Sequence, residues 1–262
     1  TTPAGQFLSS QVRVLIVRLS EYSEVAAGIT HTYLYQMAAA IPGCFVDMAF
    51  LPPERDEKLM LAGKIPLLTG TNTKMPAAAF DIIAISNSVV QELLNLPAML
   101  HFSGIPLSCA ARSKAASPLL ILGGSNSCVH SILHGPTRQG ADPGLVDAVL
   151  MGDGEKSLAA IIETVKNSAY QNRSELLKKL RDTVAGFYDP SAYTQNYAAD
   201  GSLCSVTAAE GAPMPVKSNK AACRPGSETF TGGPLLYDGA GSSHVVVSAG
   251  CPSFCSFCKE SW

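Results

Sequence analysis

Charge is scarce in this chain and favours neither sign. Only 15% of its 262 residues are charged, with 19 Lys+Arg against 21 Asp+Glu and a formal net charge of −2. No basic run and no interleaving of aromatic with basic residues occurs, so the electrostatic footprint of a nucleic-acid binder is missing. No apolar stretch approaches the length of a membrane span. The first residues, "TTPAGQFLSSQ", lack the charged start and apolar middle of a secretory signal. Also missing are G-x-G-x-x-G, G-x-x-x-x-G-K-[ST] and G-x-S-x-G. Ordinary dinucleotide, nucleoside triphosphate and serine-hydrolase functions therefore lose their usual signatures. The expectation is a cytoplasmic chain whose partners are small-molecule cofactors, with neither nucleic acid nor membrane among them.

What is there is a globular composition, 47% hydrophobic, long enough to bury a proper core. "VRVLIVR", "CFVDMAF", "FDIIAISNS", "PLLILGG" and "LVDAVLMGDG" read as five strands, each short and almost continuously apolar. Helical patterns lie between them. One carries Leu34, Met37, Ala38 and Ile41 on a single face. A second, "PPERDEKLMLAG", has Pro first, acids in its first turn and Gly63 at its end. Pro97 should kink or restart a third. Leu158, Ile161, Ile162 and Val165 fall on one face of a fourth, and a fifth follows over residues 174–184. Such alternation predicts an α/β fold with a parallel sheet covered on both faces. The economical architecture is a five-stranded parallel flavodoxin-like domain over residues 10–168. Residues 169–244 read as a helix plus β-rich connector, with a hairpin signal at Asp200–Gly201 and then a Pro-, Gly- and Ser-rich linker. Residue 245 opens something new.

On sheets of this kind ligands bind beyond the carboxyl ends of the strands. Those ends here are "SNS" with Ser86 and Asn87, "GGSNS" with Gly123, Gly124, Ser125 and Asn126, and "GDGE" with Gly152, Gly154 and Glu155. Glycine lets a ligand reach the backbone, and Ser and Asn supply short polar arms. Each turn taken singly is accounted for by turn and capping needs. Taken together they suggest a cofactor-binding rim.

The chain closes on "VVVSAGCPSFCSFCKESW". Cys251, Cys255 and Cys258, spaced C-x3-C-x2-C, follow an apolar strand and Gly250. In a reducing compartment thiols stay free, and three thiolates suit an iron–sulfur cluster. A structural zinc site is closed by four ligands. A [4Fe–4S] cluster on three cysteines leaves one iron open for a cosubstrate. The alternative is a zinc or closed cluster site completed by Cys204, Cys223 or His244. Of the other cysteines, Cys44, Cys109 and Cys128 are expected as small buried hydrophobes.

With Phe257 just before Cys258, this motif resembles the signature of radical S-adenosylmethionine (SAM) enzymes. The resemblance implies that Cys251, Cys255 and Cys258 are metal ligands, that SAM is held on the open iron, and that Phe257 packs near its adenine. It also implies one-electron cleavage of SAM to a 5′-deoxyadenosyl radical. The upstream part is similar to the branch with an N-terminal cobalamin-binding-like domain, through "LLILGGSNS" and "VDAVLMGDGEKSLAAII". It also resembles a less characterised branch through "ERDEKLMLAGKIPLLTGTNTKMPAAAFDIIAISNS" and "LHFSGIPL". Cobalamin is the further cofactor this raises, with a methyltransferase-like activity. The D-x-H-x-x-G motif that supplies a histidine to cobalt is not present after the first strand, where the chain reads "RLSEYSEVAAGITH". His31 is therefore expected as an ordinary helix-start residue, and His101, His130 and His134 as helix-end residues. The resemblance further implies that residues 245–262 start a radical SAM barrel left incomplete here. The chain is thus expected to be the front part of a longer enzyme, inactive alone. The competing expectations are a non-catalytic flavodoxin-like binding module and a zinc-stabilised structural protein.

Overall fold

The computed structural model describes residues 2–26, 28, 30–115, 117–128, 132–133, 144–167 and 172–219, together with Ser253 and Cys255. Six strands form one sheet: β1 (Val12–Glu21), β2 (Cys44–Leu51), β3 (Ile82–Ser86), β4 (Leu119–Gly123), β5 (Ala148–Leu150) and β6 (Phe187–Tyr188). Their order is β2-β1-β3-β4-β5-β6. The first four pairings are parallel, and β6 runs antiparallel to β5 with Leu150 opposite Phe187. The fold is mixed α/β with a mostly parallel sheet. Strand order reverses at β1, so β1 and β3 flank the switch point of the sheet.

The near-continuous apolar runs follow from burial on both faces. Leu15, Val17 and Leu19 of β1 enter one core layer with Ile83, Ile85, Leu120, Leu122 and Val149. Their neighbours Val12, Val14 and Ile16 enter the other with Ile82, Ala84, Leu119, Ile121 and Ala148. The period of two along each strand thus feeds two separate layers.

The first layer is closed by α1 (Pro3–Ser9), through Phe7, and by a region after β3. The sequence suggested a helix kinked or restarted at Pro97, and a helix does restart there, preceded by a 3-10 segment. A 3-10 turn (Val90–Asn95) runs into α5 (Leu96–His101), with Pro97 in the first turn. Proline is tolerated there because its missing N–H would have had no helical partner. Between them in the chain lie α2 (Tyr22–Val25), α3 (Thr30–Ala39) and α4 (Glu54–Ala62), and after them α6 (Cys109–Lys114). Helix α4 ends at Gly63 as expected, but it buries none of its residues.

The second layer is closed by α3, α7 (Gly154–Asn167) and α8 (Arg173–Thr183). Helix α7 buries Leu158, Ile161 and Ile162, the face read from the sequence. Helix α8 is capped by the Asn172 side chain, which accepts from Glu175 N at 3.0 Å, and buries Leu176, Leu177 and Leu180. The core therefore continues past residue 168, through α8 to β6. A buried ion pair, Arg181–Asp189 at 2.8 Å, ties α8 to the end of β6.

Beyond the sheet, β7 (Tyr193–Tyr197) and β8 (Leu203–Ala208) form a two-stranded hairpin around Asp200 and Gly201. Two strands alone are marginal in water. This pair is tied down at Tyr193, whose ring stacks on Tyr188 with centroids 4.9 Å apart and whose hydroxyl donates to Pro213 O at 2.7 Å. Among the described residues, no helix is long and apolar enough to cross a membrane.

Candidate functional site

Arg18 is charged and lies inside an apolar strand, yet it is only 6% exposed. A buried guanidinium needs partners, and the turn after β3 supplies them. Arg18 Nη2 donates to Glu92 Oε1 at 2.9 Å and Nη1 to Ser88 Oγ at 3.1 Å. The Ser20 hydroxyl donates to the same Glu92 oxygen at 2.7 Å. Glu92 Oε2 accepts from Asn87 Nδ2 at 3.0 Å and from the amides of Ser88 and Val89 at 2.9 and 3.3 Å. Burial alone would raise the Glu92 pKa. The Ser88 amide, the Ser20 hydroxyl, the Arg18 charge and the Val89 amide outweigh that and leave it below the ordinary value. Asn95 Nδ2 adds a bond to Leu19 O at 2.8 Å. The β1/β3 switch point is thus closed by one buried polar network.

The expected rim residues lie around it. Ser86 and Asn87 are buried, Ser86 at the end of β3 and Asn87 just after it. Asn87 N donates to Gly123 O at 2.9 Å. Gly124 has φ +107°, and a Cβ there would lie 1.7 Å from Asn87 O. Gly123 has no such crowding, its nearest neighbour being 3.9 Å away. Asn126 Nδ2 donates to Ser88 O at 2.7 Å, and Ser125 is half-buried beside it. So Ser86, Asn87, Gly123, Gly124, Ser125 and Asn126 come together on adjoining strand ends, with Gly124 against the Asn87 carbonyl and Asn126 bonded to Ser88 O. Arg18 Nε and Asn87 Oδ1 are buried with no partner among the described residues.

Gly152, Gly154 and Glu155 sit one strand further on, where β5 runs into α7. Gly152 has φ +94°, and a Cβ there would lie 1.9 Å from Asn219 O. Asn219 N donates to Met151 O at 2.9 Å, and Asp153 N donates back to Asn219 O at 2.8 Å. The Asn219 side chain donates to Ser157 Oγ at 2.8 Å and to Asp153 O at 3.2 Å. Gly154 makes only ordinary contact with Leu34, at 3.4 Å. Glu155 carries one buried oxygen, Oε2, with no partner among the described residues.

His31 is 2% exposed and packs edge-to-face on Phe50, with centroids 5.6 Å apart. Burial first, and the Arg18 charge second, lower its pKa to about 4, so the ring is neutral near pH 7. His101 closes the last turn of α5 beside Phe102; His130 and His134 lie outside the described residues. Cys44 and Cys109 are partly buried, and burial raises both thiol pKa values to about 12. Cys128 departs from expectation, because it is exposed on the turn after β4.

Of the cysteine motif, Cys255 is described and is half-buried. Cys251, Phe257 and Cys258 lie outside the described residues, as do Cys223 and His244; Cys204 is exposed on β8. Among the described residues, no three His, Cys, Asp or Glu side chains form a metal-binding group.

Residues 30–190, more than half of the chain, match the family described as radical SAM proteins, N-terminal. The chain belongs to the radical SAM N-terminal family. No curated protein matches it. The match spans the second strand through the sixth, together with Asn87, Glu92, Gly124 and Gly152. The parent radical SAM family works with SAM and a [4Fe–4S] cluster, and the chemistry of three thiolates in a C-x3-C-x2-C motif fits that cluster.

Sequence reasoning missed two features of this site. One is the Arg18–Glu92 pair, signalled only by an arginine that follows the apolar run Val14–Val17 of its strand. The other is Asn219, which sits in a stretch read as linker.

Proposed function

We propose that this chain is the N-terminal region of a radical SAM enzyme, with a flavodoxin-like sheet joined through its connector to a cluster loop. Cys251, Cys255 and Cys258 would hold the [4Fe–4S] cluster, and Phe257 would contribute to the SAM site. One-electron reduction of SAM is the chemistry such a cluster supplies when bound. The three thiolates supply donors and leave a coordination position open for the amino and carboxylate groups of SAM. A cytoplasmic setting goes with this reading, since the thiolates must stay reduced. Small-molecule cofactors are its partners. The observation that carries the reading is the family match over residues 30–190, taken with the three-cysteine motif downstream.

Cobalamin is not part of the proposal. The chain has no D-x-H-x-x-G after β1, and the buried His31 ring packs against Phe50.

Anaerobic reconstitution with ferrous iron and sulfide tests the cluster assignment. The expected product holds about four iron atoms per chain and absorbs broadly in the blue. Replacing Cys251, Cys255 and Cys258 together by Ala should abolish both. Tetrahedral zinc bound through a fourth thiolate, with no iron uptake, would overturn the reading.

A further inference from the structure

We infer that the carboxyl edge of this sheet is occupied by the chain itself. It serves as an anchor for the connector, where related sheets offer a cofactor cleft. The inference concerns the sheet alone and stands whether or not the cysteines bind iron.

A glycine at a strand end is useful when something must come closer to the backbone than a Cβ permits. At Gly152 that something is Asn219; at Gly186 it is Met151 O, 2.3 Å from a Cβ, with Asn219 next to it. A Cβ on Gly152 would lie 1.9 Å from Asn219 O and 2.5 Å from Ser218 Oγ; one on Gly186 would lie 3.2 Å from Asn219 N. Both glycines have positive φ, +94° and +78°. The turn at Gly152 is thus shaped around Asn219, and the turn at Gly186 around Met151, the residue whose carbonyl Asn219 N bonds. The backbone groups a ligand would use are also taken. Met151 N donates to Gly186 O at 2.8 Å, Met151 O accepts from Asn219 N, and Asp153 N donates to Asn219 O. Gly152 and Asn219 form a parallel bridge, as a short added strand would. Ser157, on the first turn of α7, accepts from the Asn219 amide and donates to Ala185 O at 3.0 Å.

The same holds at the switch point. Gly124 admits the carbonyl of Asn87, and the gap between the ends of β1 and β3 is filled by Arg18 and Glu92. Arg18 Nε and Asn87 Oδ1 have no partner among the described residues but are buried within them, so a ligand would have to open the packing to reach them. Asn219 is the last described residue before the segment that leads to Cys251.

Two measurements on the 262-residue chain test this. Hydroxocobalamin mixed with the chain should not be retained through gel filtration; stoichiometric retention would overturn the inference. In hydrogen exchange, the amides of Asp153 and Asn219 should be protected at least ~10-fold over free peptide. Asn219→Pro removes the N–H that bonds Met151. It should release protection at Asp153 while the β1 and β3 amides stay protected. If that variant does not fold, Asn219→Ala deletes both side-chain bonds, and a smaller acceleration at Asp153 is expected. Free-peptide exchange at Asp153 in the unaltered chain, or undiminished protection there in the folded variant, sinks the proposal. Iron content is read separately, so failure here leaves the cluster assignment standing.

Discussion

Replacing Glu92 by Leu should cost this fold about 4 kcal/mol, because it strands a buried arginine. Arg18 and Glu92 are 6% and 9% exposed, and their closest approach is 2.9 Å. Removing one partner of a buried pair leaves an uncompensated charge, typically ~3–5 kcal/mol. The amides of Ser88 and Val89 also lose their acceptor, but those residues are exposed and water replaces the carboxylate at little cost. Arg18→Met should cost less, about 2 kcal/mol, since Glu92 keeps its bonds from Ser20, Asn87, Ser88 and Val89. The double variant should be milder than the sum, with a coupling of roughly 2–3 kcal/mol. Urea unfolding followed by circular dichroism measures all three. With a slope of about 2 kcal/mol per M, Glu92→Leu lowers the midpoint by ~2 M. A loss below about 1 kcal/mol, or strictly additive single effects, would refute the reasoning. The pH dependence carries the same signature. Since the folded pKa of Glu92 is depressed below its ordinary value of 4.5, its contribution is complete above that value. It is lost as pH falls through the lower folded value.

His31 predicts a second acid-side loss of different origin. Its pKa is lowered from 6.5 to about 4, so between these values the unfolded chain takes up a proton that the folded chain refuses. Stability should fall by about 3 kcal/mol as pH drops across that window, and His31→Phe should flatten the slope; an unchanged slope refutes the assignment. Asp47, 1% exposed, accepts from Thr73 N at 2.9 Å, Thr73 Oγ1 at 2.7 Å and Asn72 N at 3.1 Å. Asp47→Ala should cost about 3 kcal/mol and open residues 70–75 to proteolysis; a neutral outcome would show that this loop holds without it.

How far the sequence could be read depended on how local each cause was. The five parallel strands were visible because burial on both faces demands an unbroken apolar run, and a run is a local property. Helix α7 was visible for the same reason, through its spacing of three and four. Strand β6 was not, because two residues make no pattern, and Phe187 and Tyr188 are strand only by pairing with Leu150 and Val149. The 3-10 turn before α5 was hidden too. Its cause is the carboxylate of Glu92 drawing in the amides of Ser88 and Val89, and that carboxylate is held by an arginine 74 residues away.

The site divides along the same line. Buried charged residues in or beside apolar strands were the overlooked signal: Arg18 in "VRVLIVRLSE", Asp47 in "CFVDMAF" and Asp147, just before β5, in "LVDAVL". A buried charge survives only with partners, so each announces a polar cluster that a second segment must complete. Arg18 finds Glu92, Asp47 finds the 71–73 loop, and Asp147 pairs with Arg112 at 3.1 Å. The glycines carried an ambiguous signal. Gly124 and Gly152 mark places where backbone is closely approached, and a sequence cannot say whether the visitor is a ligand or the chain. Here the visitors are Asn87 and Asn219. Close approach at these two glycines is thus made by the chain's own backbone, through Asn87 at one strand end and Asn219 at another.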